Sequence, residues 1–193
     1  MDLQQQEVRN CPPELARHRM VCLDIETTGL DKTFNNIIEL GTVEVVNGRN
    51  VREYSRVFGG GRSPMYLVRQ VHGIRDIDRI GRPTFRMQAH KVAAYLSNAV
   101  LVTHNGTKFD IPFLEAKLEE AGETLSYKHH VDTYLLSRKL GHEANSLGEL
   151  SRRYGIPYGE WNHRGVADCL CTLQLLYAMV EENGADALGL YFT

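Results

Sequence analysis

The stretch VCLDIETTGL, Val21 to Leu30, sets Asp24 and Glu26 two residues apart inside what reads as a buried β-strand. Side chains at i and i+2 of a strand share a face, so the two carboxylates point the same way. A carboxylate taken out of water without a partner is costly, and two adjacent anions raise each other's pKa unless a cation sits between them. Two readings follow: a strand-end pair facing solvent, or half of a site for a hard divalent ion such as Mg²⁺, which takes oxygen ligands. The flanking Val21, Leu23 and Ile25 make the strand look buried, which weakens the solvent reading.

Outward from this strand, placed at residues 20–27, the pattern predicts β-rich runs over 37–48 and 51–58 joined at Asn47-Gly48, a strong short-turn signal. GGGRSP (59–64) breaks the pattern; no Lys-Ser/Thr follows it, so it reads as a flexible turn rather than a phosphate loop. A helix is expected from Thr84 to about Asn98, with Phe85, Ala89, Val92 and Leu96 on one face. A short strand follows over 100–103, a helix over 110–120, a strand ending at Val131, and helices near 133–140, 146–154 and 166–181. Strands first, then strands alternating with helices, describe a mixed α/β sheet with helices on both faces. Residues 1–18 lack periodicity and contain Cys-Pro-Pro, so a loose leader is expected there, with one domain over 19–193.

The chain has 193 residues, 42% of them hydrophobic, enough for a sizeable core. Its net charge of −2 supplies no global positive field, which argues against a protein that coats long nucleic acid but not against one that grips a strand end. Cys11, Cys22, Cys169 and Cys171 lack zinc or disulfide spacing and read as reduced thiols of a cytoplasmic protein. The polar N-terminus lacks the apolar core of a signal peptide, and no apolar run approaches spanning length, so no membrane association is expected.

Further acids could complete an ion site. Asp110 opens a predicted helix, where Asp is a preferred N-cap and Pro112 suits the first turn; a cap is its ordinary reading. Asp168 lies in VADCLCTLQLLYAMV with Cys171, Thr172 and Leu175 on its side of the helix, and an Asp on such a semi-buried face wants a cation or a donor. Its alternative is a partly exposed acid favoured by the helix dipole. His163, between Trp161-Asn162 and Arg164-Gly165, proves nothing by itself among eight histidines.

Taken together, these residues resemble the DnaQ-like branch of the DEDD exonucleases, the subtype with a histidine in its third motif. Asp24 to Leu30 is similar to the first motif, 37–41 (IIELG) to the stretch after it, and His72-Gly73-Ile74 to a later signature. His104-Asn105 through Phe109-Asp110 resembles the second motif; Asp132-Thr133 and 136–140 (LSRKL) also fit, and His163 with Asp168 resembles the third. The second motif, with Asp110 six positions after His104, looks more like the three-prime repair exonucleases, whereas Thr27-Thr28 looks like the proofreading type. Arg164-Gly165-Val166 stands where Gly-Ala-Leu is commoner.

The resemblance implies an RNase H-like fold, a five-stranded sheet in order 3-2-1-4-5 with strand 2 antiparallel, and removal of nucleoside 5′-monophosphates from 3′ ends. It implies two Mg²⁺ ions, replaceable by Mn²⁺, held by Asp24, Glu26, Asp110 and Asp168, with His163 as general base. Thr27, Thr28, Gly29, Leu30, His72, Asn105 and Phe109 are the expected contacts to the terminal nucleotide. Arg69, Arg75, Arg79, Arg82, Arg86 and Lys91 form a local basic excess that could meet phosphates or simply be a solvated face. Single-stranded DNA is the favoured substrate, in proofreading, repair or CRISPR adaptation; short RNA is the alternative, and a non-catalytic nucleic-acid-binding subunit is the reading from another class.

Overall fold

A computed structural model describes residues 9–143, 145–158 and 165–189. Strands β1 (Met20–Thr27), β2 (Ile37–Val46), β3 (Arg49–Val57), β4 (Val100–Thr103) and β5 (His129–Asp132) form one sheet in the order β3-β2-β1-β4-β5. β2 runs antiparallel to β1 and β3, while β1, β4 and β5 are parallel. This is the order expected. The β2–β3 hairpin turns at Asn47 and Gly48, both at positive φ (51° and 73°), as a tight hairpin turn requires.

Two-residue alternation along β1 divides its side chains between two cores. Met20 and Cys22 join Val43, Val45, Val100 and Val102 on one face, covered by α8 (Gly165–Asn183), with Leu150 of α7 (Leu147–Arg153) and Leu136 of α6 (Thr133–Lys139) in the same core. Val21, Leu23 and Ile25 pack on the other face with α4 (Phe85–Leu96) and α5 (Asp110–Glu119). Asp24 and Glu26 continue the Met20–Cys22 row and so fall on the α8 face. The helix starts follow their sequence signals: Thr84 accepts the Met87 N–H, Ser146 and Glu149 form a capping box, and Asp132 caps α6.

Three expectations are corrected. From Arg9 onward the leader is packed: α1 (Pro13–Ala16) carries a fully buried Leu15, and Arg9 reaches Glu181 at 2.8 Å and the Tyr154 carbonyl at 3.0 Å. One apolar side chain and one long cation suffice to dock a segment too short to show periodicity. Asp110 is not the cap of α5; Phe109 occupies that position and Asp110 is the first helical residue.

Half of the basic segment is committed to partners inside the protein: Arg75, Arg79 and Arg82 are engaged, while Arg69 is exposed. The segment carries α2 (Tyr66–His72) and α3 (Asp76–Arg79). Arg79 is 5% exposed, donates to the carbonyls of Phe58 (3.2 Å), Arg62 (3.0 Å) and Gly60, and pairs with Asp76. Its planar fork therefore clamps the 59–64 turn, in which Gly60 and Gly61 adopt positive φ, rather than facing a phosphate. Arg75 pairs with Asp78 at 3.2 Å, and Arg82 donates to the Asp78 carbonyl at 2.6 Å. Arg86 and Lys91 are exposed on α4. All four cysteines are free thiols. Among the described residues no helix is long and apolar enough to cross a membrane.

Candidate active site

The β1–β4 pairing runs from Met20↔Val100 to Cys22↔Val102 and then stops, so the C-terminal part of β1 has no strand partner on that side. There the Ile25 N–H donates to Asp110 Oδ1 at 3.0 Å. Parting of parallel strands at their carboxyl ends opens the crevice in which α/β sheets commonly seat ligands. The start of α5 closes it from one side and delivers a carboxylate to it.

α8 delivers the other. Asp24 pairs in register with Gly41 of β2. A Cβ added at Gly41 would lie 2.3 Å from the Gly165 carbonyl carbon, and one at Gly165 would lie 2.7 Å from the Gly41 Cα. Helix and strand backbones therefore touch, as only a glycine pair allows. The Cys169 Sγ donates to the Gly41 carbonyl at 3.6 Å, and Asp168, 7% exposed, is held beside Asp24. The Tyr158 phenol is hydrogen-bonded to the Asp168 side chain, and its ring lies along α7, close enough that a Cβ on Gly148 would meet it at 3.1 Å. Sequence reasoning missed Gly41, Gly165 as a contact, and Tyr158. A glycine within a strand was the available signal for the first; nothing marked the tyrosine.

The electrostatics are those of an anion cluster. Burial first, then Asp110, Glu26 and Asp168, hold the Asp24 carboxyl well above its ordinary range. Burial, with Glu39 and then Asp168 and Asp110, pushes Glu26 up to about 8. Asp110 is pushed up to about 7 by burial, against the hydrogen bond from Ile25. Asp24 Oδ2 is buried and has no hydrogen-bond partner. Among the described residues, no three carboxylate, imidazole or thiol side chains already converge on a single ion position. The donor chemistry and the orphaned oxygen nevertheless fit divalent ions, which would draw these oxygens inward and neutralise them.

The β1–β2 register slips between Glu26 and Thr27, a bulge that turns the chain out of the sheet into the 27–30 loop. Thr27 Oγ1 donates to the Gly29 carbonyl at 2.7 Å, and Thr28 Oγ1 accepts from the Asn36 N–H at 3.0 Å. Both threonines are buried, so their hydroxyls shape the loop. His72 is also buried, accepting the Ile74 N–H on Nδ1 at 2.9 Å and lying against the Thr27 carbonyl. It braces this loop from below. Gly29 is buried, whereas Leu30 stands 74% exposed beside it.

Asn105 has φ 63°, and its N–H, with those of Thr107 and Tyr134, is bound by the fully buried Asp132 carboxylate at 2.8–3.0 Å. Phe109 is half-buried against Phe113, ring centroids 5.5 Å apart. Thus Asp24, Glu26, Asp110 and Asp168 come together, and Leu30, Asn105 and Phe109 keep some exposure. His163 lies outside the described residues.

A model of the RNase T family, described as exonucleases, matches residues 21–176. The chain is 31% identical over 186 residues to the DNA polymerase III subunit epsilon of Buchnera aphidicola, covering 89% of this chain and 76% of that one. It is 32% identical over 168 residues to the PolC-type DNA polymerase III of Halalkalibacterium halodurans, of which it spans 11%. Among solved structures, exonuclease I superposes with a TM-score of 0.79 at 12% identity, over 90% of this chain and 43% of that one. Exonuclease X in complex with 5′ overhanging duplex DNA superposes with a TM-score of 0.67 at 23% identity, over 86% and 93% of the two chains. At these identities the structural likeness is one of fold.

Proposed function

The chain belongs to the RNase T family of exonucleases, and from that premise we propose that it hydrolyses phosphodiester bonds at 3′ ends of single-stranded DNA, releasing nucleoside 5′-monophosphates. The observation that carries the reading is the crowding of Asp24, Glu26, Asp110 and Asp168 at the end of β1, with a buried Asp24 oxygen that no described residue satisfies. Four anions facing a polyanion are unsuited to plain binding and suited to chemistry on a phosphate. DNA is favoured over RNA by the likeness to polymerase III subunits, which also supports a setting beside a polymerase.

In this reading the four carboxylates hold two divalent ions, Mg²⁺ or Mn²⁺. When bound, such ions neutralise the phosphate oxygens and lower the pKa of a water. The protein's own share is placement. Asp110 is fixed by the Ile25 N–H and Asp168 by the seating of α8 on Gly41, so both acids sit on rigid elements. Leu30 offers an exposed apolar side chain to the terminal base, and Phe109 a half-exposed ring for stacking. His163 takes the proton from the attacking water, a task suited to a group titrating near neutrality.

The test is a set of 5′-labelled DNA and RNA oligonucleotides, single-stranded and duplex, incubated with Mg²⁺ or Mn²⁺. A ladder shortening from the 3′ end of single-stranded DNA, suppressed by chelator, is expected. Degradation of RNA alone would move the substrate to the alternative, and binding without products would return the chain to an accessory role.

A further inference from the structure

Glu39 lies directly across from Glu26 in the β1–β2 register and shares its face of the sheet. It is 1% exposed, the most deeply buried of the acids at this end of the sheet apart from the Asp132 cap. Ser55, on β3, donates to Glu39 Oε1 at 2.5 Å and holds that oxygen from the β3 side. The other oxygen, Oε2, is buried and has no hydrogen-bond partner. Among charged neighbours Glu39 acts most strongly on Glu26.

A fold bears a buried, half-satisfied carboxylate only at a cost in stability in the absence of compensation. We propose that Glu39 is a positioning residue that drives the Glu26 carboxylate toward the ion site and strengthens the hold of that site on divalent cations. The inference rests on the reading that the carboxylate cluster holds such ions. Its physical content is twofold. Repulsion across a directly opposed strand pair steers Glu26 away from β2, and the fixed negative charge behind Glu26 adds to the attraction felt by a cation in front of it. Ser55 keeps that charge in place, so that the pair Ser55–Glu39 acts as the kind of outer support metal ligands commonly receive.

The decisive measurement is direct Mn²⁺ binding to the full chain, by calorimetry and by the electron paramagnetic resonance signal of free Mn²⁺, for wild type, Glu39→Gln and Ser55→Ala. Glu39→Gln keeps the shape and removes the charge; its Mn²⁺ Kd is expected to rise about tenfold. The Mg²⁺ concentration for half-maximal turnover should rise in parallel, with kcat at saturating Mg²⁺ close to wild type. Ser55→Ala keeps the charge and loses the anchor, and should give a smaller rise of the same sign. Wild-type Mn²⁺ affinity in Glu39→Gln would overturn the proposal. Should that variant fail to fold, an unchanged Kd in Ser55→Ala overturns it instead. Absence of Mn²⁺ binding in the wild type defeats the metal-site reading itself, an outcome distinct from equal binding by wild type and variant.

Discussion

Gly165, the first residue of α8, rests on Gly41, the strand partner of Asp24, so closely that a Cβ on Gly41 would stand 2.3 Å from the Gly165 carbonyl carbon. That contact sets the height of the helix above the sheet and brings Asp168 to Asp24. Gly41→Ala should therefore lift the start of α8, at an overpacking cost of about 1–3 kcal/mol. Displacing Asp168 by even 1 Å should lower turnover by about 100-fold. Steady-state kinetics beside a denaturation curve reads both; a Gly41→Ala protein with wild-type kcat would show that the glycine contact does not set the site.

Asp24→Asn removes the ionisable carboxyl whose buried Oδ2 has no hydrogen-bond partner among the described residues. Hydrolysis should be lost, and because an amide cannot ionise, the chelator-treated variant should lose less stability than wild type as pH rises. Retained turnover in Mg²⁺ would take Asp24 out of the mechanism.

The cluster makes metal-free stability depend on pH with a definite sign. Glu26 moves from 4.5 to about 8 on folding and Asp110 from 3.8 to about 7, so the folded state holds these protons more tightly than the unfolded one. Their contribution is fully present below the unfolded values and is lost as pH rises through the folded ones. In chelator the melting temperature should thus fall between about pH 5 and pH 8, and added Mg²⁺ should raise it more at the alkaline end. A flat profile in chelator would mean that the carboxylates are not held in the environment described.

Arg79 is bound to three carbonyls and to Asp76, so Arg79→Ala should cost about 3 kcal/mol and leave the salt dependence of DNA binding unchanged. Urea denaturation and binding titrations at several ionic strengths check the two halves. A flattened salt slope with native stability would make it a phosphate contact after all.

His163→Ala should lower kcat by about 10²–10⁴ with little change in KM. A change confined to KM would assign the residue to substrate binding.

Much of this protein is legible in the chain because the physics is local. The two-residue alternation of Val21 to Glu26, the Asn47-Gly48 turn and the Thr84 and Ser146 caps predict strands, hairpin and helices close to those observed. The same alternation places Asp24 and Glu26 on one face, and the resemblance to the DnaQ-like exonuclease motifs implies Asp110 and Asp168 as the other two members of the cluster. Expectations failed where a side chain's partner lies far off in sequence. Asp110 looks like a cap until the unpaired Ile25 N–H, 85 residues earlier, claims its carboxylate. Arg79 looks like a phosphate contact until the 59–64 turn closes around it.

By itself, then, the sequence determined the strands, the helices and the shared face of Asp24 and Glu26, since backbone propensity and side-chain periodicity act over a few residues. The sheet order and the places of Asp110 and Asp168 beside them were implied by the resemblance of the motifs to the DnaQ-like exonucleases. Only the tertiary structure decided how those acids are held: the Gly41–Gly165 contact, the Ser55–Glu39 support behind Glu26 and the Tyr158–Asp168 bond. Each joins segments that no local pattern relates, and burial, which raises the Asp24, Glu26 and Asp110 carboxyls, exists only once those segments have closed over them.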